Sequence, residues 1–423
     1  MMTSTFSYEF EKVMGPFGIP VYLKRQPEII RCTSIALVNF VGAADDRLIG
    51  APGVYHWFEH VPFRGTKNFP NGYEGTRGPI SKIGGVLNAW TNPLATTFWA
   101  TVPNSFFRTA VEVVTDLVAN PLLTTEGIEA ERRIIHQEIR DALSSPESVM
   151  NRLMMDSLWN DHPLSSGVLG TIESLDSMNS EVLQEARRKG YCRGRMAFFV
   201  SSSLPEEAIL AELEKVCGEL PANNLSPRVK FATYEKLQWN DEREYMRETS
   251  FDSSIMCLIF PLGPMSSHRE VAASTLLCSV FSYGGLGSPL YTALREKNQL
   301  VYACGVSRGG YESGGYFKIE MKTSRDNLFP AQKAIRGLFK DKRLRSSEWH
   351  DTIKLARRRN GDMTLPNPYT EIREAISEVG YIGSPISNES FMSLVDSVSL
   401  DEIAEMIDSL DLDQAYTLTA LGK

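Results

Sequence analysis

The sequence of 423 residues predicts an α+β fold built from two similar halves, each with a mixed sheet and helices. The same order of strand and helix patterns occurs twice, and the runs SIALVNFVGA and SIMCLIFPLG occupy matching positions in the two halves. Between the halves, Leu220 to Thr249 contains prolines and asparagines followed by charged residues, as expected of a linker. We therefore predict domains at 1–220 and 250–423, joined by a linker at 221–249.

In the first half, the apolar run Ser34 to Val41 predicts a strand that leads into a helix containing two histidines. A second strand is predicted from Asn88 to Val102, and an amphipathic helix from Ser105 to Ala119. Thr125 is a suitable N-cap for a further helix that we expect to end at Leu143.

The second half repeats this order of elements. A strand is predicted at Ser254 to Phe260, a helix at Val271 to Ser282, strands through Tyr302 to Lys322, and a helix at Leu328 to Lys340. The glycine-rich run Gly284 to Ser288 lacks the Gly-Lys-Ser/Thr ending of a phosphate-binding loop. We interpret this run as a turn that opens a helix.

The strongest functional signal is the run His56-Trp57-Phe58-Glu59-His60. On a helix the residues at i and i+4 share one face, so His56 and His60 can reach one metal ion, and Glu59 lies over the same turn. Imidazoles bind Zn²⁺, and a free carboxylate can take the proton from a water that the metal activates. The motif therefore predicts the zinc site of a peptidase.

Catalytic zinc usually has three protein ligands, and the helix that begins at Thr125 offers two candidates, Glu131 and Glu138. They are seven residues apart on a face shared with isoleucines, where buried acids are costly unless a cation pairs with them. Alternatively, both glutamates are solvated or paired with neighbouring arginines. We interpret His136 as a residue near the site or on the surface, and not as a ligand.

The motif resembles that of the M16 (pitrilysin-like, inverzincin) metallopeptidases. In that family, His-x-x-Glu-His is followed a little over seventy residues later by a metal-binding Glu, and Glu138 lies seventy-eight residues after His60. An acidic residue seven positions before that ligand is also usual, and Glu131 matches it. The resemblance implies His56, His60 and Glu138 as zinc ligands, Glu59 as the base and Glu131 as an assisting catalytic residue.

Other segments also resemble the family. These are Phe63 to Lys67, Asp161 to Pro163 with Leu169 to Thr171, and Gly84 to Thr91. The last matches the strand on which family members lay their substrate, so the resemblance implies that Asn88 and Ala89 bind the peptide backbone.

In the second half, Arg295 and Tyr302 match the arginine and tyrosine that the family's inactive-type domain contributes to substrate binding. The resemblance also implies a catalytic role for both, as hydrogen-bond donors near the reacting carbonyl or the peptide chain. The resemblance implies two α/β-sandwich domains of the LuxS/MPP-like metallohydrolase type, which together form half of a clamshell. It also implies one Zn²⁺ per chain, an endopeptidase activity on peptides or unfolded precursor segments, and a homodimer or a heterodimer with an inactive homologue.

The sequence departs from the family pattern at two places in its first half, and in the second half Ala303 follows Tyr302 where serine is common. Val61-Pro62 follows His60, and because proline cannot donate a backbone N–H, we expect the helix to end there with His60 in its last turn. The segment Pro70 to Pro79 is rich in glycine and proline, and we interpret it as an open loop.

Composition excludes some other functions. The formal charge of -8 with no basic stripe argues against a nucleic-acid partner, and no apolar run approaches the roughly 18 residues of a membrane span. The N-terminal residues show neither a signal core nor a transit pattern, so we expect a cytoplasmic protein. The six scattered cysteines are expected to be buried free thiols in a reducing compartment.

Two alternatives remain open. The chain could be a non-catalytic scaffold subunit of the same fold, similar to the core proteins of the mitochondrial cytochrome reductase complex. It could also be a catalytic subunit that is active only with a homologous partner. The intact histidine motif and Glu138 favour the enzyme.

Overall fold

The computed structural model describes residues 9–142, 144–159, 162–165, 167–222, 225, 228, 236–363 and 367–423. The chain divides into two compact units. The first comprises Met1–Arg140, Ser166–Ala232 and Pro366–Ser387, and the second comprises Asp141–Ser165, Thr233–Leu365 and Asn388–Lys423.

Each unit is built on one sheet. The strands are β1 Glu11–Met14, β2 Pro20–Arg25, β3 Cys32–Asn39, β4 Val86–Thr91, β5 Thr96–Pro103, β6 Met196–Ser202, β7 Glu244–Glu248, β8 Ser254–Leu262, β9 Ala303–Tyr311, β10 Gly314–Thr323 and β11 Tyr416–Leu421.

Helices cover these sheets. They are α1 Val54–His60, α2 Gly72–Ser81, α3 Phe107–Ala119, α4 Thr125–Ala142, α5 Pro146–Leu158, α6 Ile172–Ser177, α7 Ser180–Gly190, α8 Glu206–Cys217, α9 His268–Ser282, α10 Pro289–Tyr291, α11 Leu328–Leu338, α12 Ser347–Met363, α13 Pro368–Ile382, α14 Asn388–Ser397 and α15 Leu400–Asp408. A π-helical turn, Thr292–Glu296, continues α10.

The two sheets share one topology. The first has the order β1-β2-β6-β3-β5-β4 and the second the order β7-β11-β8-β10-β9. In both, one parallel pair, β2 with β6 or β7 with β11, is followed by antiparallel pairs to the far edge. In both, a helix, α1 or α9, links the central strand to the edge strand. The predicted α+β fold of two similar halves is therefore confirmed.

Each unit takes one helix from the other half of the chain. Helix α13 packs on β3 and β6 in the first unit, where Glu371 accepts a hydrogen bond from Lys24 at 2.8 Å and Tyr369 stacks on Trp99 with centroids 3.8 Å apart. Helix α5 packs on β8 and β11 in the second unit. The described part of the predicted linker contains β7. The domain boundaries 1–220, 221–249 and 250–423 stay a prediction. The structure adds that each unit also contains a helix from the other half of the chain, α13 in the first and α5 in the second.

The core of the first unit lies between its sheet and helices α1 and α3. Every second residue of β3, such as Ile35 and Leu37, points to these helices, and α1 places Trp57 and Phe58 against them with no exposed surface. Burial of aromatic and branched side chains on one helix face supplies the main stabilisation and fixes the rotation of α1 about its axis.

Two predictions about local structure are wrong. The predicted strand from Asn88 to Val102 is the hairpin of β4 and β5, because the side chain of Asn92 accepts hydrogen bonds from the backbone N–H groups of Leu94 and Ala95 and turns the chain. The segment Pro70 to Pro79 is not an open loop, because most of it lies in α2.

The glycines of α2 conceal its helical period. Thr76 and Ile80 are buried four residues apart, and the Thr76 hydroxyl donates to the carbonyl of Phe63 at 2.8 Å.

The predicted turn at Gly284 to Ser288 is confirmed, since Ser288 caps α10 by accepting from the Tyr291 N–H at 3.2 Å.

None of the described helices is long and apolar enough to cross a membrane. All six cysteines are free thiols, and three of them are buried: Cys192, Cys217 and Cys257.

Close packing at the end of α7 predicts the effect of an alanine there. A Cβ at Gly190 would lie 2.6 Å from the hydroxyl of the fully buried Tyr55, so we expect Gly190→Ala to lower the free energy of unfolding by about 1–3 kcal/mol. A Cβ at Gly337, in α11, would meet no atom within 4 Å. Gly337→Ala should therefore raise the free energy of unfolding by about 0.5–1 kcal/mol. Urea unfolding of both variants checks the pair, and equal effects would contradict the packing argument.

Candidate metal centre

The position of α1 is fixed at both of its ends. Gly53 precedes it at φ 84°, and the buried carboxylate of Asp46 accepts the backbone N–H groups of Gly53 at 2.6 Å and Tyr55 at 3.3 Å. At the other end, α1 stops at His60 and a 3₁₀ turn, Val61–Arg64, continues the chain. The prediction that Pro62 ends the helix with His60 in its last turn is confirmed.

Three ligand atoms converge beside α1. The Nε2 atoms of His56 and His60 are 3.2 Å apart, and Oε2 of Glu138, from α4, lies 3.7 Å from each of them. Ligands held at 2.0–2.1 Å from one tetrahedral ion are about 3.4 Å from each other. The triangle of two imidazole nitrogens and one carboxylate oxygen therefore fits a single Zn²⁺ ion.

His60 has a defined second partner. Its Nδ1 lies 3.0 Å from Oε2 of Glu131, which is fully buried. A carboxylate at this distance accepts a hydrogen bond from the Nδ1–H group of His60. Nε2 of His60 then carries no proton, and its lone pair is directed at His56 and Glu138. Glu131 thus selects the His60 tautomer that can bind a metal.

The Glu131 carboxylate receives three hydrogen bonds in total. Besides His60, the Nε group of Arg64 and the hydroxyl of Tyr73, the latter at 3.0 Å, donate to Oε1. Burial raises the pKa of this carboxyl, but the bonds from His60 and Arg64 outweigh burial and hold the pKa below its usual value. Glu131 therefore stays ionised although it is buried, and Arg132 pairs instead with Glu129.

The two histidines have different electrostatic surroundings. Burial, with the charge of His60, lowers the pKa of His56 to about 3, so its imidazole is neutral at pH 7 and can act as a ligand. Burial also lowers the pKa of His60, but the bond to Glu131 and the surrounding carboxylates outweigh it and raise the pKa overall. These acids favour the protonated imidazolium form of His60. His60 can therefore bind a metal only after it loses a proton.

Glu59 lies at the same cluster. Single ligand atoms of His56, Glu59 and His60 all lie within 4.8 Å of one another. Burial raises the pKa of the Glu59 carboxyl, opposed by His60 and by hydrogen bonding with Thr91 of β4, while Glu138 raises it further. A carboxylate with a raised pKa can both accept and return a proton near neutral pH.

The predicted substrate strand is an edge strand. Strand β4, with Asn88 and Ala89, is the last strand of the first sheet and pairs only with β5 among the described strands. The Ala89 N–H donates to the Asn88 side chain at 3.0 Å. Backbone groups on the side of β4 that faces away from β5 are available to another extended chain.

Arg295 and Tyr302 lie together in the second unit. The Arg295 guanidinium donates to the carbonyl of Tyr302 at 3.2 Å and lies over the ring of Tyr291, 5.2 Å from its centroid. The side chain of Tyr302 is 62% exposed, so its hydroxyl is accessible. From the motif at Asp161 to Pro163, Asp161 lies outside the described residues, while His162 accepts the N–H of Leu164 at 3.2 Å.

Sequence analysis missed Tyr73 and the role of Arg64. Tyr73 lies on α2, where the glycines and proline of the sequence predict a loop, and Arg64 belongs to the segment Phe63 to Lys67, whose resemblance to the family assigns it no role. Arg64 lies 4.3 Å from the centroid of the Tyr73 ring, so the two donors to Glu131 also contact each other. Glu131 itself is the signal in the sequence that points to these donors, because a carboxylate on a buried helix face needs hydrogen bonds from other residues.

Comparisons with known proteins identify chains similar to this one. Residues 32–172 match the family described as insulinase (peptidase family M16), and residues 177–349 match the peptidase M16 inactive domain. An uncharacterized zinc protease of Rickettsia bellii is 24% identical over 391 residues, 92% of each chain. The beta subunit of the mitochondrial-processing peptidase of Caenorhabditis elegans is 30% identical over 182 residues, 43% of this chain and 39% of that one.

Solved structures agree on the fold. The crystal structure of a peptidase M16 inactive domain from Pseudomonas fluorescens superposes with a TM-score of 0.84 over 98% of both chains, at 16% identity. A protease from Helicobacter pylori gives a TM-score of 0.82 over 98% of this chain and 99% of that chain, at 14% identity.

The bond between His60 and Glu131 predicts how zinc affinity depends on Glu131. Glu131→Gln keeps the size of the side chain but removes the charge that holds the Nδ1 proton, so we expect zinc to bind about 10–100-fold more weakly. Competition with a chromophoric chelator measures this. Glu129→Gln, an exposed position on the same helix, is the matched control and should bind zinc as the wild type does. Equal affinities of the two variants would exclude an orienting role for Glu131.

Proposed function

The chain belongs to peptidase family M16, and from this premise we propose that it is a zinc-dependent endopeptidase acting on peptides or unfolded precursor segments. The observation that supports the proposal most directly is the triangle of His56 Nε2, His60 Nε2 and Glu138 Oε2, with the Glu59 carboxyl beside it. In this proposal His56, His60 and Glu138 hold the metal. When bound, Zn²⁺ supplies a Lewis acid that polarises the scissile carbonyl.

Glu59 is the general base of the proposed reaction. Its carboxylate takes a proton from the attacking water and later passes it to the leaving amine. Burial supports both roles, because the raised pKa of the carboxyl brings it closer to the working pH. Glu131 does not itself touch the substrate in this scheme; it holds the proton on His60 Nδ1 and so positions that imidazole.

The substrate is proposed to bind as an extended strand on the free edge of β4. Backbone hydrogen bonds with Asn88 and Ala89 would hold the peptide, and because backbone groups are common to all peptides, many sequences would be accepted. Arg295 and Tyr302 are proposed to donate hydrogen bonds to the peptide, which the exposure of the Tyr302 hydroxyl supports.

The complete enzyme is proposed to be a homodimer or a heterodimer with an inactive homologue, which together would complete the clamshell chamber. The name of the Caenorhabditis elegans relative describes that protein as a subunit, which supports a partner here. A scaffold without activity is the competing proposal. It is disfavoured because a scaffold would not require His56, Glu59, His60 and Glu138 to converge on one point.

Replacing the proposed base tests the reaction. We expect Glu59→Gln to retain its zinc while hydrolysis of an internally quenched peptide pool falls by about 10²–10⁴-fold, because the amide cannot accept the proton. Glu74→Gln, at an exposed position of α2, removes the same charge and should leave the rate unchanged.

The outcomes separate the alternatives. Wild-type protein that holds zinc and cleaves nothing would point to a missing partner, which size-exclusion chromatography with light scattering would then seek. Wild-type protein that holds no zinc would favour the scaffold and overturn the proposal.

The proposed donor in the second unit predicts a smaller effect. Tyr302→Phe removes one hydroxyl from an exposed side chain, so we expect kcat/KM to fall on the order of 10-fold, the value of one hydrogen bond, at unchanged stability and zinc content. Steady-state kinetics and metal analysis of the same preparation check this. An unchanged kcat/KM would remove Tyr302 from the substrate site.

A further inference from the structure

Two arginines of the second unit share a half-buried site, and among the described residues neither has an acidic partner. Nε of Arg308, on β9, donates to the Thr275 hydroxyl at 2.9 Å, and Nη1 of Arg357, on α12, donates to the Ser279 hydroxyl at 2.9 Å. No carboxylate among the described residues forms an ion pair with either guanidinium. Arginines that are partly buried in proteins are usually paired with an acid.

The two guanidiniums bond to neighbouring hydroxyls of one helix. Thr275 and Ser279 are one turn apart on α9, so their side chains are neighbours, roughly 5–6 Å apart. Burial lowers the pKa of both guanidiniums; Cys278 opposes this effect at both, and the charge of Arg357 lowers the pKa of Arg308 further. Two like charges held close together in a half-buried place repel each other unless an anion lies between them.

Among the described residues, the groups that accept hydrogen bonds from the two arginines are neutral. They do not use all of the N–H donors of the guanidiniums. Ser279 donates its own proton to the carbonyl of Thr275 at 2.9 Å, so its oxygen is left to accept from Arg357. The Sδ of Met265, 4.0 Å from Arg308 Nη1, is a weak acceptor. Nε of Arg357 is buried and has no hydrogen-bond partner. A guanidinium has five N–H donors, so this site has more donors than acceptors.

The site has a counterpart in the first unit. By topology α9 corresponds to α1, β9 to β4 and α12 to α4, the three elements that build the histidine cluster. The same fold thus carries imidazoles and carboxylates at this place in one unit, and arginines and hydroxyls in the other.

We propose that Arg308 and Arg357 form a binding site for an oxyanion, either a free inorganic anion such as phosphate or the carboxylate of a peptide. Planar guanidiniums bind both groups through pairs of charge-assisted hydrogen bonds. The site is separate from the proposed metal ligands, and binding of an anion requires no hydrolysis. A test of anion binding is therefore independent of the proposed peptidase activity.

Calorimetric titration with sodium phosphate at constant ionic strength tests the site in the full chain. We expect the wild type to bind phosphate, and Arg308→Gln and Arg357→Gln each to raise the dissociation constant at least 10-fold. Arg359→Gln, an exposed position on the same helix, removes the same charge and should leave the dissociation constant unchanged. Melting temperature gives a second readout: phosphate should raise it in the wild type and in Arg359→Gln, but not in the other two variants.

A peptide competition separates the two sources of the anion. An acetylated peptide with a free C-terminal carboxylate and the same peptide as its amide are each added to the phosphate-loaded Glu59→Gln protein. Displacement of phosphate by the acid alone identifies a peptide carboxylate, and no displacement by either peptide identifies a free inorganic anion. The proposal is overturned if the wild type binds no phosphate, or if all four proteins bind it with the same dissociation constant.

Discussion

The buried carboxylate of Glu131 is the interaction on which the proposed metal centre depends. An ionised acid with no exposed surface must receive hydrogen bonds, and here they come from three separate parts of the chain: the end of α1, the turn after it and α2. These bonds lock α4 against α1. Because Glu138 lies two turns further along α4, the same bonds also set the distance between Glu138 and the two imidazoles.

Helix α1 has seven residues and ends at His60. Pro62 stops the α-helical bonding and begins the 3₁₀ turn, which brings Arg64 back toward Glu131. The departure from the family pattern at Val61-Pro62 therefore preserves the site, since the residue that completes the Glu131 network lies directly after it.

The residues of the candidate site can be found from the sequence because their spacing is local: His56, Glu59 and His60 lie within one helix, and Glu131 and Glu138 within another. Sequence alone predicted the repeated order of elements because each half has clear apolar periods. It failed at α2, where three glycines hide the period of Tyr73, Thr76 and Ile80, and so it missed Tyr73 as a donor. It also began α9 at Val271, although Ser267 and Glu270 form a capping box that sets the start at His268. Long-range exchange of α5 and α13 leaves no local signal.

The repeated topology gives the two units a common architecture, but the place next to the edge strand carries charge of opposite sign in each. In the first unit Glu59, Glu131 and Glu138 surround two imidazoles, a set that favours a divalent cation. In the second, Arg308 and Arg357 surround two hydroxyls, a set that favours an oxyanion. Since a fold constrains the backbone of its elements more than the identity of the side chains they carry, one scaffold can hold complementary sites for a cation and for an anion.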